Sequence, residues 1–586
     1  MWILRVNMTD RSLKLEEVPE KYQQLGGRGL TSTIIYDEVD PQCHPLGPYN
    51  KLVFAPGLLS GTVAPSSSRL SVGGKSPLTG GIKESNVGSG YAPALAKLGL
   101  KAIIVEGHPE EAGKYWMLHL TWDGEKPHAE FLPADEYVGR DLYKVFPKLY
   151  TRFGKKVHVA GIGVAGELKY KNSGVAFDDM KQKPTRYSGR GGLGAVMGSK
   201  GLKFIVVDST GAPAVTFANE ALFKQGAKKL REALGEHALT KPKGGLNTYG
   251  TAVLVNIINE AGAFPTRNFR DGRFEGAAKI SGETIFEANK KRMGKEIYNH
   301  ACSPGCVIQC SGTLYDEQGE EIVSCIEYES DWALGADCGI DDLDAIGKMV
   351  YLCNAYGLDT IETGVAIGVA MDSGLLPFGD AKGAIKLIKK MGKGTPIGRI
   401  LGGGAALVGE AFGNPRVPAV KGQAMPAYEP RAIKGIGVTY ATSTMGADHT
   451  AGYTIAPEIA GTGGKVDPLL ADASKAELSR AFQKTTAALD STGHCLFISF
   501  AILDIPSGFE GLVEEINGML GTNFTGDEIV SLGGEILKRE RAFNEGAGFT
   551  NLDDRLPEFM KYEKLPPHNV VADVTDEIMD KVYGDL

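Results

Sequence analysis

Three cysteines within nine residues constrain this chain more than any other feature. They are Cys302, Cys306 and Cys310, and a fourth, Cys495, follows much later. A proline and a glycine between the first two sulfurs prevent a regular helix, so a bent loop can wrap three thiolates around one metal centre. Zinc usually takes four cysteines as two close pairs, whereas three close cysteines and a remote one suit a [4Fe–4S] cluster. The spacing favours the cluster over four buried apolar thiols.

Length and composition are those of a globular protein with several domains. The chain has 586 residues, of which 42% are hydrophobic and 23% charged, so roughly two to four domains are expected. A net charge of −8 argues against nucleic acid or an anionic membrane as partner. The start is too charged for a signal peptide, and no apolar run reaches the ~18 residues of a membrane span. We therefore expect a soluble cytoplasmic protein whose cysteines are reduced and serve as ligands rather than disulfides.

The first part of the chain, 1–210, has the pattern of a β-rich domain. Short β-branched or aromatic runs alternate with turns rich in glycine, proline and asparagine. The predicted strands are 52–55, 102–106, 115–120, 157–160 and 204–207. Two segments rich in glycine and serine, 55–91 and 188–200, are predicted as loops between them.

After Pro213 the pattern becomes helical. Thr216 is a plausible N-cap for a helix over 217–234. Further helices are predicted over 341–354, 360–371, 381–390, 476–489, 513–520 and 527–544. A proline-rich stretch, 414–430, is the best internal boundary, which divides the chain into 1–210, 211–417 and 418–586. The expected fold class is α+β, with a β-rich domain followed by two mainly α-helical ones.

Two nucleotide-binding motifs have weak matches and are rejected. A GxGxxG pattern at 161–166 follows a predicted strand, but the residues after it alternate like another strand instead of opening the helix that a dinucleotide fold requires. The Gly-Gly-Lys-Ser sequence at 73–76 lacks the leading glycine of a P-loop, where Arg69 stands. Neither motif supports a nucleotide site.

Two other groups of residues have chemical potential. The glycine-rich loops expose backbone N–H groups that can hold phosphates, and Arg69 and Arg190 within them can pair with phosphate; tight turns are the alternative. In the extended conformation Glu327, Glu329 and Asp331 would share one face, either as a solvated edge or, as the apolar neighbours favour, in a buried site. Beside a buried glutamate, a histidine in a glycine-rich turn, His449, would suit acid–base chemistry.

Taken together, these motifs resemble the tungsten-containing aldehyde ferredoxin oxidoreductases over essentially the whole chain. That family carries two DxxGL(C/D) motifs, each facing one of two pterin dithiolenes that hold tungsten. The sequences at 354–359 (Asn-Ala-Tyr-Gly-Leu-Asp) and 490–495 (Asp-Ser-Thr-Gly-His-Cys) stand in those places. Glu329, Asn86, His449 and the glycine-rich segment 189–200 also match.

The resemblance implies a site for every cofactor. The two sheets of the first domain would form a base for the bis-pterin cofactor, covered by two helical domains. Cys302, Cys306, Cys310 and Cys495 would hold one [4Fe–4S] cluster, and Arg69 would bridge cluster and pterin. Backbone groups near Asn86 and Ser188 would hold a magnesium ion that joins the pterin phosphates. The remaining cofactor-binding residues implied are Gly189, Arg190, Gly191, Gly192, Asn354, Gly357, Leu358, Asp359, Asp490, Gly493 and His494.

Three departures from the family pattern stand out. Asn354 replaces an aspartate, so the first motif keeps hydrogen bonding but loses a charge. His494 replaces a leucine beside the cluster ligand, where it would tune the potential or carry a proton. One extra residue separates the first two cysteines, which makes Cys302 the least secure ligand.

The activity implied is oxidation of an aldehyde to its carboxylic acid, with water as oxygen source and Glu329 and His449 flanking the substrate. Electrons would leave through the cluster to ferredoxin or to an iron–sulfur or flavin partner subunit, and an oligomer is expected. Reduction of an acid is the reverse reaction of the same site, and molybdenum remains an alternative to tungsten. The rival functions are a benzoyl-CoA reductase-like subunit, a cluster-only electron-transfer subunit and a nicotinamide dehydrogenase, the last disfavoured by the missing βαβ unit.

Overall fold

The structure is a computed structural model, and it describes residues 1–584. The first domain contains a six-stranded mixed sheet. Its strand order is β2-β1-β6-β3-β4-β5, and only β1 and β6 run parallel. The strands are β1 (Trp2–Asn7), β2 (Ser12–Glu17), β3 (Leu52–Pro56), β4 (Arg69–Lys75), β5 (Ile82–Gly88) and β6 (Leu100–Glu106). Apolar side chains of this sheet and of a second sheet form a common core.

The second sheet also has six strands, in the order β11-β10-β9-β12-β7-β8, with β7 and β12 parallel. They are β7 (Trp116–Trp122), β8 (Pro127–Pro133), β9 (His158–Gly161), β10 (Val175–Phe177), β11 (Arg186–Ser188) and β12 (Leu202–Val207). The helices of this region are α1 (Gly27–Glu38), α2 (Tyr91–Lys97), α3 (Leu142–Phe153), α4 (Val164–Glu167) and α5 (Leu193–Ser199).

The rest of the chain is mainly helical, which confirms the predicted fold class. Its helices are α6 (Glu220–Glu236), α7 (Gly245–Tyr249), α8 (Leu254–Glu260), α9 (Gly282–Met293), α10 (Tyr328–Leu334), α11 (Leu343–Tyr356), α12 (Thr360–Asp372), α13 (Ala381–Gly392), α14 (Pro396–Gly402), α15 (Ala405–Phe412), α16 (Lys434–Thr442), α17 (Ser474–Thr492), α18 (Ser499–Asp504), α19 (Pro506–Leu520), α20 (Gly526–Gly546) and α21 (Asp576–Met579). Two short hairpins interrupt them, β13 (Thr313–Tyr315) with β14 (Glu321–Ser324) and β15 (Ala419–Val420) with β16 (Gln423–Ala424).

One hydrophobic core runs through the helical region, from Phe223 to Val582. The division at 417/418 therefore stays a prediction, and the last two residues of the predicted third domain, 585 and 586, lie outside the described residues. Within residues 1–584 no single helix is long and apolar enough to cross a membrane. One pair passes by length and composition, Ser474–Thr492 with Leu496–Asp504, and it is bent by 120°.

The predicted strands and helices are present, but four local predictions are wrong. The segment 55–91 is not a loop, because it contains β4 and β5, and 188–200 contains α5. Strand β4 pairs with β3 on one side and β5 on the other, so its ladder hydrogen bonds outweigh the low strand propensity of glycine. Helix α6, the first of the helical region, begins after Asn219 and not after Thr216. The Asn219 side chain caps it by accepting a hydrogen bond from the amide of Leu222.

The fourth wrong prediction concerns the acidic cluster, which begins a helix rather than a strand. Glu327 is the N-cap residue of α10, while Glu329 and Asp331 lie in its first turns. The GxGxxG segment also differs from expectation, since it opens the four-residue helix α4 after β9. Residues 73–75 of the Gly-Gly-Lys-Ser sequence belong to β4, so they form a strand rather than a loop.

Candidate active site

The two DxxG-type motifs occupy equivalent places, each at the C-terminus of a helix that docks on one sheet. Helix α11 ends at Gly357 (φ 82°) and α17 at Gly493 (φ 91°), both left-handed C-caps that favour glycine. A Cβ on Gly57, after β3, would overlap the Cα of Gly493. A Cβ on Gly163, after β9, would overlap the carbonyl of Tyr356. Only glycine permits these close backbone approaches.

Backbone hydrogen bonds fix both contacts. The amide of Arg69, the first residue of β4, donates to the carbonyl of Gly493 at 3.0 Å. The amide of Gly174, just before β10, donates to the carbonyl of Gly357 at 3.0 Å. Each sheet therefore positions one motif.

A cavity of about 310 Å³, called here the first cavity, lies between the motifs and the sheets. The predicted cofactor-binding and catalytic residues that line it are Arg69, Asn86, Gly189, Arg190, Asn354, Leu358, Asp359, His449 and Asp490. Those that lie outside its lining are Ser188, Gly191, Gly192, Gly357, Gly493, His494 and Glu329.

Many buried polar atoms around the first cavity have no hydrogen-bond partner. They are Arg69 Nε, Glu84 Oε1, Asn86 Nδ2, Arg186 Nε, Arg190 Nε, Asp359 Oδ2 and His449 Nδ1. Buried polar groups in proteins are normally paired. The set contains both donors and acceptors, as a ligand with polar heterocycles and phosphates requires.

A buried charge network holds the second motif. Arg28, which is 2% exposed, donates from Nε and Nη2 to the two carboxylate oxygens of Glu540 at 2.9 and 2.8 Å. Its Nη1 donates to Asp490 Oδ2 at 3.4 Å. Burial, reinforced by Glu84, raises the pKa of Asp490 to about 8. Sequence reasoning did not single out Arg28, Glu84 or Glu540.

The first motif is held differently. The side-chain amide of Asn354 donates to the Tyr143 hydroxyl at 3.3 Å. Asp359 caps α12 by accepting from the amide of Ile361, and its other oxygen lies 3.5 Å from Nε of Arg190. Tyr143 therefore engages one of the two N–H groups of the Asn354 side-chain amide.

The four predicted cluster ligands line a second cavity of about 210 Å³. Ser66 links the loop to the remote cysteine, because its amide donates to the Gly305 carbonyl at 2.9 Å and its carbonyl accepts from the Cys495 amide at 2.8 Å. Arg69, which lines both cavities, donates from Nη2 to Cys495 Sγ at 3.6 Å. Within residues 1–584, no group of three or more His, Cys, Asp or Glu side chains is arranged to hold a single metal ion.

Glu329 and His449 meet where the two cavities adjoin. Nε2 of His449 lies 3.4 Å from Oε1 of Glu329, and His449 lines both cavities. Glu329 Oε2 accepts from the amide of Ala427 at 2.9 Å, while Oε1 has no hydrogen-bond partner. Burial raises the pKa of Glu329 to about 8 and lowers that of His449 to about 4. At neutral pH the pair is therefore an uncharged acid beside an uncharged imidazole.

The two residues predicted to hold magnesium lie where the sheets meet. Asn86 is in β5 of the first sheet and Ser188 ends β11 of the second. The Ser188 hydroxyl donates to the carbonyl of Ser85 at 3.0 Å, so the strands are in direct contact. Of the two, only Asn86 reaches the first cavity.

His494 points away from both cavities. Its Nε2 lies 3.1 Å from Glu515 Oε2, and its Nδ1 is 2.9 Å from the Thr492 hydroxyl. All of this is buried against α19. This side chain therefore lines neither cavity.

Arg186 is a further residue that sequence reasoning missed. It lines both cavities, donating from Nη1 to Cys325 Sγ at 2.9 Å and to the Ser311 hydroxyl at 3.0 Å. With Arg69 it places a second guanidinium between the cysteines and the first cavity. Arg186 is the first residue of the short strand β11, just before the glycine-rich segment. Its nearness to that segment was the only feature of the sequence that could have pointed to it.

Comparison with known proteins identifies the class of protein that has this fold and site. Residues 3–209 match the family model for the N-terminal domain of aldehyde ferredoxin oxidoreductase, and 225–585 match the model for its domains 2 and 3. The chain is therefore an oxidoreductase of the aldehyde ferredoxin oxidoreductase family, as its sequence motifs indicated.

Within this family the chain is similar to tungsten-containing members. The tungsten-containing aldehyde ferredoxin oxidoreductase of Pyrococcus abyssi is 36% identical over 96% of this chain and 92% of its own, and that of Pyrococcus furiosus is 35% identical over 96% and 91%. The WOR-like subunit of an aliphatic sulfonate oxidoreductase of Pyrococcus furiosus is 26% identical over 90% and 82%.

A solved structure shares the fold. The active-site complex BamBC of benzoyl coenzyme A reductase, in complex with 1,5-dienoyl-CoA, superposes with a TM-score of 0.80, covering 99% of this chain and 92% of that one. Identity is 19%, so the likeness concerns the fold alone.

Proposed function

We propose that this chain oxidises an aldehyde to its carboxylic acid. In the balanced reaction, the aldehyde and one water give the acid, two protons and two electrons, and acid reduction is the reverse. The observation that carries the proposal is the pair Glu329 and His449, placed where the motif-lined first cavity meets the cysteine-lined second cavity.

The first cavity suits a tungsten bis-pterin cofactor. Its orphaned donors and acceptors match the polar edges of a pterin, and four arginines in its lining match phosphates. Residues of the two motifs, chiefly Asp359 and Asp490, would accept hydrogen bonds from the two pterins, and Asn86 and Ser188 would hold a magnesium ion between the sheets. When bound, the tungsten centre would accept the two electrons.

The second cavity suits a [4Fe–4S] cluster. Cys302, Cys306, Cys310 and Cys495 all line it, and all-thiolate ligation is usual for such a cluster. Arg69 would bridge the cluster and a pterin, since it lines both cavities and bonds to Cys495. The cluster would pass electrons on singly to ferredoxin or to an iron–sulfur or flavin partner subunit. We also propose that the chain forms an oligomer in the cytoplasm.

Glu329 would accept the proton that water loses as it becomes the second oxygen of the acid. Its Oε2 is fixed by Ala427, so the unpaired Oε1 is oriented toward His449. A carboxylate whose pKa is raised to about 8 is a stronger base than an ordinary glutamate. His449, neutral above pH 4, would hold the carbonyl oxygen or the water by hydrogen bonding without adding charge.

The direct test is elemental analysis of anaerobically purified protein, followed by aldehyde oxidation with a viologen dye. We expect about one tungsten and about four irons per chain, and dye reduction that depends on aldehyde. Iron without tungsten and without activity after reconstitution would favour the cluster-only subunit. Zinc in place of both metals would refute the assignment. Dearomatisation of benzoyl-CoA without aldehyde oxidation would favour the benzoyl-CoA reductase-like alternative.

Replacing Cys495 with serine tests the cluster ligands. Because Cys495 is the only proposed ligand outside the 302–310 loop, its loss should lower the iron content from about four to about three or fewer per chain. Cys43→Ser is the matched control, since Cys43 is half-buried in the first domain and lines neither cavity. Unchanged iron in Cys495→Ser, measured by elemental analysis and electron paramagnetic resonance, would rule out this ligand.

A further inference from the structure

Three buried tyrosines line the second cavity beside the catalytic pair. Tyr328, Tyr428 and Tyr453 are 2%, 1% and 3% exposed. The ring centroid of His449 lies 5.7 Å from that of Tyr428 and 6.1 Å from that of Tyr453. Tyr328 continues the wall, with its ring 5.5 Å from that of Tyr428. The imidazole of His449 is therefore flanked by two aromatic rings of the cavity wall.

The hydroxyls of these tyrosines already have partners in the protein. Those of Tyr428 and Tyr453 bond to each other at 2.8 Å, and that of Tyr328 donates to the carbonyl of Ala427 at 2.8 Å. A buried tyrosine normally pairs its hydroxyl in this way and presents its ring carbons to a neighbouring space. The tyrosine wall is therefore apolar toward a ligand.

The remaining apolar side chains that line the cavity extend this surface. They are Leu254, Ile308, Leu496 and Phe497. Phe497 is half-buried and stacks on Phe500 with ring centroids 5.8 Å apart. The two threonine hydroxyls of the lining are engaged within the protein, since Thr251 donates to Glu327 at 2.9 Å and Thr450 to Asp448 at 2.7 Å. Apart from the catalytic pair, its charged side chains are Arg69, which donates to Cys495, and Arg186 and Glu327, which pair at 3.6 Å.

We infer that, given the proposed function, the preferred substrates are aldehydes that carry one flat aromatic ring. Such a ring would pack edge-to-face against Tyr428, Tyr453 and Phe497 while its formyl group reaches Glu329 and His449. Aromatic rings pair favourably in this geometry at centroid distances of 4.5–7 Å. Polyhydroxylated aldehydes would bury hydroxyls without partners, which is costly. The cysteine-lined part of this cavity of about 210 Å³ is assigned to the cluster, so only its tyrosine-lined part is left for the substrate.

The test is the ratio of kcat/KM for benzaldehyde to that for acetaldehyde, measured with the metal-loaded enzyme and a viologen dye. Tyr453→Leu should lower this ratio about tenfold, because the loss of ring packing affects only the aromatic substrate. Phe500→Leu is the matched control: Phe500 contacts Tyr453 at a centroid distance of 6.3 Å but does not line the cavity, so the ratio should stay at its wild-type value. Glyceraldehyde should be oxidised at least about tenfold less efficiently than benzaldehyde.

Phe497→Leu tests the same ratio if Tyr453→Leu fails to fold or to load metal, and it too should lower the ratio. A ratio unchanged by the cavity variants, or wild-type enzyme that oxidises glyceraldehyde as well as benzaldehyde, would overturn the aromatic preference and leave aldehyde oxidation standing. If the metal-loaded enzyme oxidises none of the three aldehydes, the proposed function itself fails.

Discussion

Replacing Glu329 with glutamine should lower aldehyde turnover by about 10²–10⁴-fold, the range associated with the loss of a general acid or base. Glutamine retains an oxygen for the Ala427 amide, which Glu329 Oε2 accepts at 2.9 Å, so the cavity should keep its shape. The amide cannot take a proton from water. Tungsten and iron contents should therefore stay at their wild-type values while turnover falls.

The pH profile gives a second, independent signature. Burial raises the pKa of Glu329 to about 8, so the proton-accepting carboxylate is the minor form below pH 8 and the major form above it. Aldehyde oxidation should therefore rise with pH, about tenfold per unit, and level off above about pH 8. Burial lowers the pKa of His449 to about 4, so this ring stays neutral above pH 4 and its titration does not change the rate in the neutral and alkaline part of the pH profile. The residual activity of Glu329→Gln should not show the rise with pH that levels off near pH 8.

Glu362→Gln is the matched control for this experiment. Glu362 is fully buried on α12, its oxygens accept from the amides of Ala405 and Ala424 at 2.9 Å each, and it does not line either cavity. Burial also raises its pKa, to about 7. The control should retain the rise with pH that levels off near pH 8. A Glu329→Gln enzyme with full metal content and near wild-type turnover, or a wild-type rate that falls above pH 8, would show that Glu329 is not the base.

The parts of the site that the sequence predicted are those defined by local chemistry. The cysteine spacing at 302–310 is a property of nine consecutive residues, and the structure places all three sulfurs with Cys495 around one cavity. Gly357 and Gly493 each follow a helical pattern directly, which is where a left-handed C-cap belongs. Short-range patterns of this kind depend little on the rest of the fold.

The parts that sequence reasoning missed depend on contacts between distant segments. Arg28 meets Asp490 and Glu540 across 462 and 512 residues of chain, and a glycine-rich helix start gives no sign of that partnership. Glu84 and Arg186 lie on strands whose sides are set by sheet register, in segments predicted as a loop or left without a predicted strand. Register is a tertiary property, so their orientation toward the cavity was not visible.

The acidic cluster shows how short patterns mislead. Over the five residues 327–331 an alternating pattern fits a strand as well as a helix, since periodicity needs a longer window to distinguish them. Helix α10 separates the three acids: Glu327 caps it, Glu329 faces the second cavity, and Asp331 is fully buried with neither oxygen hydrogen-bonded. Glu329 stays the catalytic candidate, but the strand geometry that suggested it does not occur.

Replacing Arg28 with methionine should destabilise the protein by about 3–5 kcal/mol, because the fully buried carboxylate of Glu540 would lose its partner. Burial opposes ionisation of Glu540, and Arg28 reverses that effect enough to hold its pKa below the ordinary value. Arg28 also counteracts the burial that raises the pKa of Asp490. Its loss should raise the Asp490 pKa further and free a carboxyl that lines the first cavity. We therefore expect both a lower midpoint of chemical unfolding and a lower tungsten content.

Two further variants separate these effects. Lys475→Met removes one partner of another buried ion pair, Lys475 with Glu458 at 2.6 Å, which lines neither cavity. It should lower the unfolding midpoint comparably and leave tungsten content unchanged. In the double variant Arg28→Met/Glu540→Leu, the fully buried Glu540 carboxylate is removed together with its partner, so stability should largely recover while tungsten content stays low. If tungsten content follows stability in all three variants, Arg28 acts only through the fold. If it is low wherever Arg28 is absent, Arg28 positions Asp490 for the cofactor.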